Sequence, residues 1–284
     1  MNILSIQSHV VYGHVGHQAS TFPLQRLGHE VWSLPTVLYS NHLAHPSYTG
    51  RKLDAGFLEE LVAGLRKLDL LGRLDAVLTG YLGDAPTVPV AIAALEAARA
   101  TKPEVLFACD PVMGDDGALY VSKALAEAIA RELVPRADIL FPNIFELQHL
   151  SGMPVTGLKD VRPAMQALRK KTRNALIIAT GIPDEEHADL ITALALDDSG
   201  LWQAKAKRHP MRASGNGDCF AALFLGRYLG HRDIPTALGN AVGGMSRIAA
   251  LTAATDADEL RIVESQEIWS KTDPALQAVR IPQS

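Results

Sequence analysis

The stretch Glu104-Val105-Leu106-Phe107-Ala108-Cys109-Asp110-Pro111 is a short apolar run that ends at an acid and a proline. Apolar runs of this length are typical of strands that are buried on both faces of a sheet. The pattern recurs at residues 2–7, 75–79, 138–141 and 175–180. Helical spacing or alanine-rich composition is found between these runs, at 17–26, 54–67, 88–100, 122–132 and 160–171. The alternation predicts an α/β fold with a central, mostly parallel sheet and helices on both faces.

The remaining segments extend this arrangement without a second domain. Residues 30–34 resemble another strand, 190–196 and 201–207 an antiparallel pair, and 217–229 and 234–254 two closing helices. No linker rich in proline and serine divides the chain, and no internal repeat is visible. Because 284 residues fit one large α/β unit, we expect a single domain over 1–284.

Composition excludes several classes of protein. Hydrophobic residues make up 48% of the chain and the formal net charge is −4, with no long basic run that would favour nucleic acid. No apolar run is long enough for a membrane span, and no secretory signal pattern is present. Cys109 and Cys219 lie in apolar surroundings, so we expect reduced thiols, a cytoplasmic location and no membrane partner.

Polar residues follow the predicted strands, where an open α/β sheet binds its ligands. We expect them to gather along one edge of the sheet. They are Ser8, Gly80-Tyr81, Asp110, Asn143, Thr180 and the segment Gly215-Asn216-Gly217-Asp218, which opens a helix.

The segment Gly215-Asn216-Gly217-Asp218 has the composition of an anion site. Its glycines allow several backbone N–H groups to point one way, and the helix N-terminus adds unpaired donors and partial positive charge. Asp218 would be repelled by a bound phosphate, which suggests a general base for a hydroxyl that attacks phosphorus. The alternative is that Asp218 merely caps the helix.

Two acidic segments could serve a cation. Asp110 and Asp115 could hold Mg²⁺ against nucleotide phosphates, although acids of this kind are also common in turns. Glu146 could hold a water on the metal, or it could form a capping box with Asn143 at a helix start.

The early loops offer weaker signals. Ser8-His9 and Ser40-Asn41-His42 could bind a polar heterocycle through hydroxyl or imidazole groups. The chain lacks the GxxxxGK[ST] of P-loop kinases, the GxGxxG of dinucleotide folds and the HExxH of zinc hydrolases. A nicotinamide-dependent dehydrogenase, which the α/β pattern alone would allow, therefore has no fingerprint.

These motifs together resemble those of pyridoxal kinases in the ribokinase-like superfamily. The resemblance rests on Ser5-Ile6-Gln7-Ser8-His9-Val10-Val11-Tyr12-Gly13, Thr21-Phe22-Pro23-Leu24-Gln25-Arg26-Leu27-Gly28, Tyr39-Ser40-Asn41-His42, Thr79-Gly80-Tyr81, Cys109-Asp110-Pro111-Val112-Met113-Gly114 and Pro142-Asn143-Ile144-Phe145-Glu146. These segments have the family's order and spacing. The first is specific to pyridoxal kinases, whereas Gly-x-Gly-Asp belongs to the whole superfamily.

The resemblance implies a ribokinase-like α/β/α sandwich, usually dimeric. It implies ATP-dependent phosphorylation of the 5′-hydroxymethyl group of pyridoxal, pyridoxine and pyridoxamine, with Mg²⁺ and, in some members, K⁺ or another monovalent cation. It assigns the base to Asp218 and the anion hole to Gly215 and Gly217. The implied substrate contacts are Ser8, His42, Leu43, Tyr81 and the lid tyrosine Tyr120. The implied ATP contacts are Asp110, Asn143, Glu146, Thr180, Gly215, Asn216 and Gly217, with Asp110, Asp115 and Glu146 around the metal.

The chain departs from the family pattern at four places, two of which are Gly16-His17, where Gly-Asn is more usual, and a short segment after Met113-Gly114. Asn216 stands where the family usually has Thr or Val, and Leu43-Ala44 replaces a segment that usually begins with Thr. Two other functions stay open. A hydroxymethylpyrimidine kinase shares the Gly-x-Gly-Asp turn of the superfamily, and the changes at Asn216 and Leu43-Ala44 would suit a non-catalytic protein that binds pyridoxal 5′-phosphate on the same fold.

Overall fold

The computed structural model describes residues 1–115, 117–184 and 186–282. The strands are β1 Asn2–Val10, β2 Glu30–Tyr39, β3 Gly50–Lys52, β4 Ala76–Thr79, β5 Leu106–Cys109, β6 Gly114–Asp115, β7 Ala118–Leu119, β8 Ile139–Leu140, β9 Leu176–Pro183, β10 Leu190–Leu196, β11 Leu201–Lys207 and β12 Val279–Ile281. The α-helices are α1 His17–Arg26, α2 Ala55–Lys67, α3 Thr87–Thr101, α4 Lys123–Ala128, α5 Ile144–Ser151, α6 Leu158–Arg169, α7 Asn216–His231, α8 Ile234–Ala254 and α9 Gln266–Trp269.

One large sheet organises the described part of the chain. Its strand order is β12-β11-β10-β9-β8-β5-β4-β1-β2-β3. The six strands from β9 to β2 are parallel, and antiparallel strands extend both edges. The prediction of a mostly parallel sheet is confirmed, as is the antiparallel pairing of β10 with β11.

The core consists of two hydrophobic layers, because successive side chains of a strand point to opposite faces of the sheet. On β1, Leu4 and Ile6 face one layer and Ile3 faces the other; on β4, Val77 and Leu78 divide in the same way. Helices α2 to α6 cover the first face, and α1, α7 and α8 cover the second. The molecule is therefore the three-layer α/β/α sandwich that the sequence predicts.

The sheet has its topological switch point between β1 and β4. The chain leaves β1 through α1 toward β2, whereas it leaves β4 through α3 toward β5, on the opposite side and face. The helices therefore diverge at the carboxyl ends of β1 and β4 and leave a crevice there, which is the usual ligand position in open α/β sheets.

Several predicted boundaries are wrong because of strand extensions. β1 continues to Val10, although the sequence predicts a loop from Ser8, and β2 continues to Tyr39 through Pro35. Proline has no N–H for the sheet, and Pro35 pairs with Gln7 where the register between the two strands shifts. The irregularity thus accommodates the missing donor. β9 likewise passes Thr180 and ends at Pro183.

Short elements are not evident in the sequence. β3, the β6–β7 hairpin, β12 and α9 have two to four residues each, too few to show a period. The predicted helix at 122–132 is α-helical to Ala128 and then widens into a π-helical turn, Ile129–Leu133. None of the helices in the described ranges combines the length and apolar character that a membrane crossing needs.

The central strands should dominate stability. Phe107 on β5 is 1% exposed, whereas Phe57 on α2 is 48% exposed. We expect Phe107→Ala to lower the free energy of unfolding by about 3–5 kcal/mol through lost burial and a cavity. Phe57→Ala, the matched control, should cost less than about 1 kcal/mol. Urea unfolding of the two variants would measure this, and equal losses would contradict the assigned core.

Candidate active site

Asp218 lies in the first turn of α7, at the crevice between β1 and β4. Its Oδ2 accepts a hydrogen bond from the backbone N–H of Gly16 at 2.9 Å. The N-cap of α7 is Gly215, without a side-chain capping bond. The interpretation of Asp218 as a helix cap is therefore wrong, and its carboxylate faces the loop that follows β1.

The turn before Asp218 has the conformation that an anion cradle needs. Gly215 has φ +83°, and a Cβ there would lie 1.8 Å from the carbonyl oxygen of His14. The first bond of the turn runs from Cys219 N–H to the Gly215 carbonyl at 3.0 Å, so the N–H groups before Cys219 have no intrahelical acceptor. Asn216 donates its side-chain amide to the Ala213 carbonyl at 3.1 Å and fixes the preceding loop.

Burial sets the protonation of Asp218. Removal from water raises the pKa of its carboxyl to about 6, and the hydrogen bond from Gly16 opposes part of that rise. A carboxylate with a pKa just below neutrality is ionised at pH 7 and still accepts a proton readily. This suits the predicted role of general base.

Two further carboxyl groups lie beside the turn. Asp110 is 8% exposed and Glu146 is 2% exposed. A Cβ on Gly217 would come within 3.7 Å of Asp110 Oδ2, which places this carboxyl against the first turn of α7. Burial, and then the charges of Glu146 and Asp218, raise the pKa of Asp110 well above its usual range.

Glu146 performs the capping role that the sequence allowed. Its Oε2 accepts the Asn143 N–H at 3.0 Å, and Asn143 Oδ1 accepts the Glu146 N–H at 2.8 Å. Its Oε1 accepts the Met113 N–H at 3.0 Å. Burial raises the pKa of Glu146 to about 7, against these hydrogen bonds. Because both oxygens already accept hydrogen bonds, Glu146 suits contact with a cation through water.

This acidic cluster fits Mg²⁺. Carboxylate oxygens are the ligands that this ion prefers, and it usually keeps several waters. No hydrogen bond from the described residues reaches the Asp110 carboxylate, so its oxygens can serve as direct ligands. Asp115, on β6, is exposed near the same cluster.

Tyr120 follows the β6–β7 hairpin and is 54% exposed. Loss of water around its hydroxyl, and then the charges of Glu146 and Asp110, raise the pKa of the phenol. Its backbone N–H donates to the Met113 carbonyl at 3.1 Å, which attaches the tyrosine to the segment that follows β5. Tyr120 is therefore near enough to the carboxyl groups to feel their charge, and its role as a lid residue stays a prediction.

Ser8 lies on β1 and Tyr81 lies just after the neighbouring strand β4, so both flank the crevice. Ser8 is buried on β1, and a Cβ on Gly16 would lie 2.3 Å from its Oγ. Tyr81 follows β4 and is partly buried against Val10 and Val37. Burial raises the pKa of the Tyr81 phenol to about 12, so it stays neutral near pH 7.

The other predicted site residues lie in the loop after β2 and on β9. His42 is buried and Leu43 is 49% exposed in the loop after β2. Thr180 on β9 donates its backbone N–H to the Pro142 carbonyl at 3.1 Å, next to Asn143. Four strand spacings separate β9 from β1, about 19 Å. Thr180 therefore lies well along the sheet edge from Ser8, and its role as a nucleotide contact stays a prediction.

Gly16 and Glu259 contact candidate site residues, and the sequence does not predict either contact. Gly16 belongs to Gly13-His14-Val15-Gly16, which follows β1 without forming the GxGxxG pattern, and its backbone N–H donates a hydrogen bond to Asp218. Glu259 follows α8, 217 positions after His42, and accepts a hydrogen bond from that histidine. No local pattern marks either residue, because both act through contacts between distant segments.

Comparison with known proteins agrees with this geometry. Residues 66–250 match a family model described as phosphomethylpyrimidine kinase. Pyridoxal kinase from Leishmania donovani, solved with ADP and ginkgotoxin, superimposes with a TM-score of 0.90 at 30% identity, covering 100% of this chain and 99% of that one. The same kinase was solved with ADP and pyridoxamine or pyridoxine. The chain thus has the ribokinase-like kinase fold.

Relatives of known function identify the family within this class of kinases. The chain is 37% identical to pyridoxal kinase PdxY of Corynebacterium diphtheriae, over 94% of this chain and 95% of that protein. It is 38% identical to pyridoxal kinase PdxY of Rubrobacter xylanophilus, over 94% and 93% respectively. The chain belongs to the pyridoxal kinase family.

Gly215 packs so closely against the His14 carbonyl that a larger residue there should destabilise the fold. Gly215→Ala should lower the free energy of unfolding by about 3 kcal/mol, because the methyl group meets the His14 carbonyl. Gly28 has a similar φ of +89°, yet a Cβ there meets nothing within 4 Å. Gly28→Ala should therefore cost only about 1 kcal/mol, the strain of the left-handed conformation. Thermal unfolding would compare them, and identical shifts in Tm would contradict the contact.

Proposed function

We propose that this protein transfers the γ-phosphoryl group of ATP to the 5′-hydroxyl of pyridoxal, giving pyridoxal 5′-phosphate and ADP. Pyridoxine and pyridoxamine are proposed as further substrates. The observation that carries the proposal is Asp218, an acid with raised pKa held by Gly16 in the first turn of a glycine-opened helix. The names of the relatives and the ligands of the solved kinase support the choice of substrates.

In the proposed mechanism, Asp218 removes the proton from the 5′-hydroxyl while that oxygen attacks the γ-phosphorus in line with the departing ADP. The backbone N–H groups of Gly215, Asn216 and Gly217 receive the negative charge of the transferred phosphoryl group. Phosphoryl transfer depends mostly on such positioning and charge stabilisation.

The remaining roles follow the layout of the crevice. Ser8, His42, Leu43, Tyr81 and Tyr120 would contact the vitamer, and Asn143 and Thr180 the nucleotide. Asp110, Asp115 and Glu146 would hold Mg²⁺, Glu146 through water. When bound, the ion supplies positive charge that neutralises phosphate oxygens. We also propose a single domain over 1–284, a homodimer, a cytoplasmic location and a site for K⁺ or another monovalent cation.

An assay of ADP formation tests the proposal. Purified protein is given Mg-ATP with pyridoxal, pyridoxine, pyridoxamine or hydroxymethylpyrimidine, with and without K⁺. We expect the highest kcat/KM with a B6 vitamer. A higher value with hydroxymethylpyrimidine would favour the activity that describes the matched family model. A pyridoxal 5′-phosphate absorbance spectrum on the protein without ATP turnover would favour the non-catalytic alternative.

Asp218→Asn should lower kcat by about 10²–10⁴-fold, because the amide cannot take the hydroxyl proton. The KM for pyridoxal should change little, since the amide has nearly the same shape. Glu267→Ala is the control, since this acid pairs with Arg26 at the surface. Turnover of Asp218→Asn near the wild-type rate would contradict the base assignment.

The activity should depend on pH through the same group. Asp218 must be ionised to accept a proton, and its pKa is about 6. We therefore expect kcat/KM to fall about tenfold per pH unit below that value. Tm measured at pH 5 and pH 7 would control for unfolding. A constant kcat/KM over this range would show that another group is the base.

A further inference from the structure

Glu259 joins three segments around the crevice. It lies in the chain after α8 and is 8% exposed. Its Oε1 accepts hydrogen bonds from Nε2 of His42 and Nε2 of His45, each at 2.9 Å. Its Oε2 accepts the backbone N–H of His14 at 2.8 Å. One buried carboxylate thus receives three donors from the loops that follow β1 and β2.

The donors indicate a carboxylate that stays ionised. Burial alone would raise the pKa of Glu259, but the bonds from His14, His45 and His42 hold it below its usual range. The histidine rings lie 4.3 Å apart between centroids, both on the same carboxylate oxygen. Hydrogen bonds to a charged acceptor are about twice as strong as neutral ones.

This cluster of two histidines and an acid could also be considered for a transition metal, since its ligand atoms lie within 4.8 Å of one another. The tautomer of His42 argues against that. Its Nδ1 accepts the Ala44 N–H at 3.3 Å, so its proton is on Nε2, the atom that faces Glu259. A metal needs a bare nitrogen there, with the other ring nitrogen donating to an acceptor.

The His14 contact leads directly to the base. The same loop places the His14 carbonyl against Gly215, where a Cβ would lie 1.8 Å away. Two residues later, the Gly16 N–H holds Asp218. A Cβ on Gly13 would lie 2.8 Å from Glu259 Oε1, so the loop fits closely against the carboxylate. The segment 13–16 is therefore held between Glu259 and the first turn of α7.

We infer that Glu259 is a positioning residue that fixes both the vitamer-binding loop, through His42 and His45, and the Asp218 base, through the segment 13–16. The inference deepens the proposed function and rests on it for the roles of His42 and Asp218. Glu259 itself does not touch the reacting atoms. Its two oxygens have separate roles. Oε1 fixes the vitamer-binding loop, which is the loop after β2 that contains His42, Leu43 and His45, and Oε2 fixes the segment 13–16 that holds the base.

Steady-state kinetics of Glu259→Ala tests the inference. The KM for pyridoxal should rise about tenfold or more, the loss expected for hydrogen bonds to a charged group. The kcat should fall as well, because the support of Gly16 is lost, while the KM for ATP stays within about twofold because the nucleotide end of the edge is not involved. General loosening of the fold would instead raise both KM values.

Glu259→Gln separates the two oxygens. Its amide oxygen can serve both histidines, whereas its NH₂ group faces the His14 N–H. We expect the KM for pyridoxal to return toward the wild-type value while kcat stays low. A Gln variant no better than Ala, or an Ala variant with unchanged pyridoxal KM, would overturn the inference.

Glu267→Ala is the control, since it removes the same charge from the same part of the chain, where the side chain is 69% exposed. A rise of Tm on adding Zn²⁺ that is absent in Glu259→Gln would also overturn the inference, in favour of a metal site.

The inference and the proposed function can fail separately. Absorbance titration with pyridoxal in the absence of ATP gives a Kd that does not require turnover. If the wild type binds pyridoxal but forms no ADP, the proposed catalysis fails, while a weaker Kd in Glu259→Ala still supports the positioning of the vitamer loop. If the wild type turns over and Asp218→Asn does not, unchanged Kd and kcat in Glu259→Ala refute the inference alone.

Discussion

The hydrogen bond from the Gly16 N–H to Asp218 joins two parts of the chain that are 202 positions apart. It connects the loop after the central strand β1 to the first turn of α7, at the crevice where the helices diverge. Without it, burial alone would govern the pKa of Asp218, and the carboxyl would be a weaker acid. The arrangement therefore sets both the position and the charge of this group. The glycine turn opens the same helix, and the Asp110 carboxylate lies against its first turn.

Bringing the acids of the crevice together in a buried place costs free energy of folding. Asp110, Glu146 and Asp218 are buried or partly buried, and each has a raised pKa. The fold offsets this cost with backbone donors, among them the N–H groups of Met113 and Asn143 to Glu146. A bound cation, or a proton accepted by Asp218, would relieve the remaining repulsion. Clusters of this kind are uncommon in structural cores, since apolar packing would be more stable. Their presence at the switch point therefore supports chemistry, in agreement with the family to which the chain belongs.

The sequence predicts the layers of the fold because buried strands and amphipathic helices have different periods. The central strands, the antiparallel pair and the closing helices are found where expected, and the glycine turn stands at the start of α7. Strand ends are less predictable: Pro35 signals a break, yet the register shift opposite Gln7 absorbs it. The role of Glu259 could not be predicted, because its partners His14, His42 and His45 lie more than 200 positions away and share no local pattern with it. Contacts of this kind are set by the tertiary fold alone.

The two free cysteines have a practical consequence. Cys109 precedes Asp110 and Cys219 follows Asp218, and both thiols are buried. Burial raises the pKa of Cys109 to about 12, so almost no thiolate is present near neutral pH. A thiol reagent can react only after the strand end or the helix start moves away from its neighbours. The rate at which these two sulfurs are alkylated would therefore measure how often the crevice opens. Each label would be attached one residue away from an acid of the crevice.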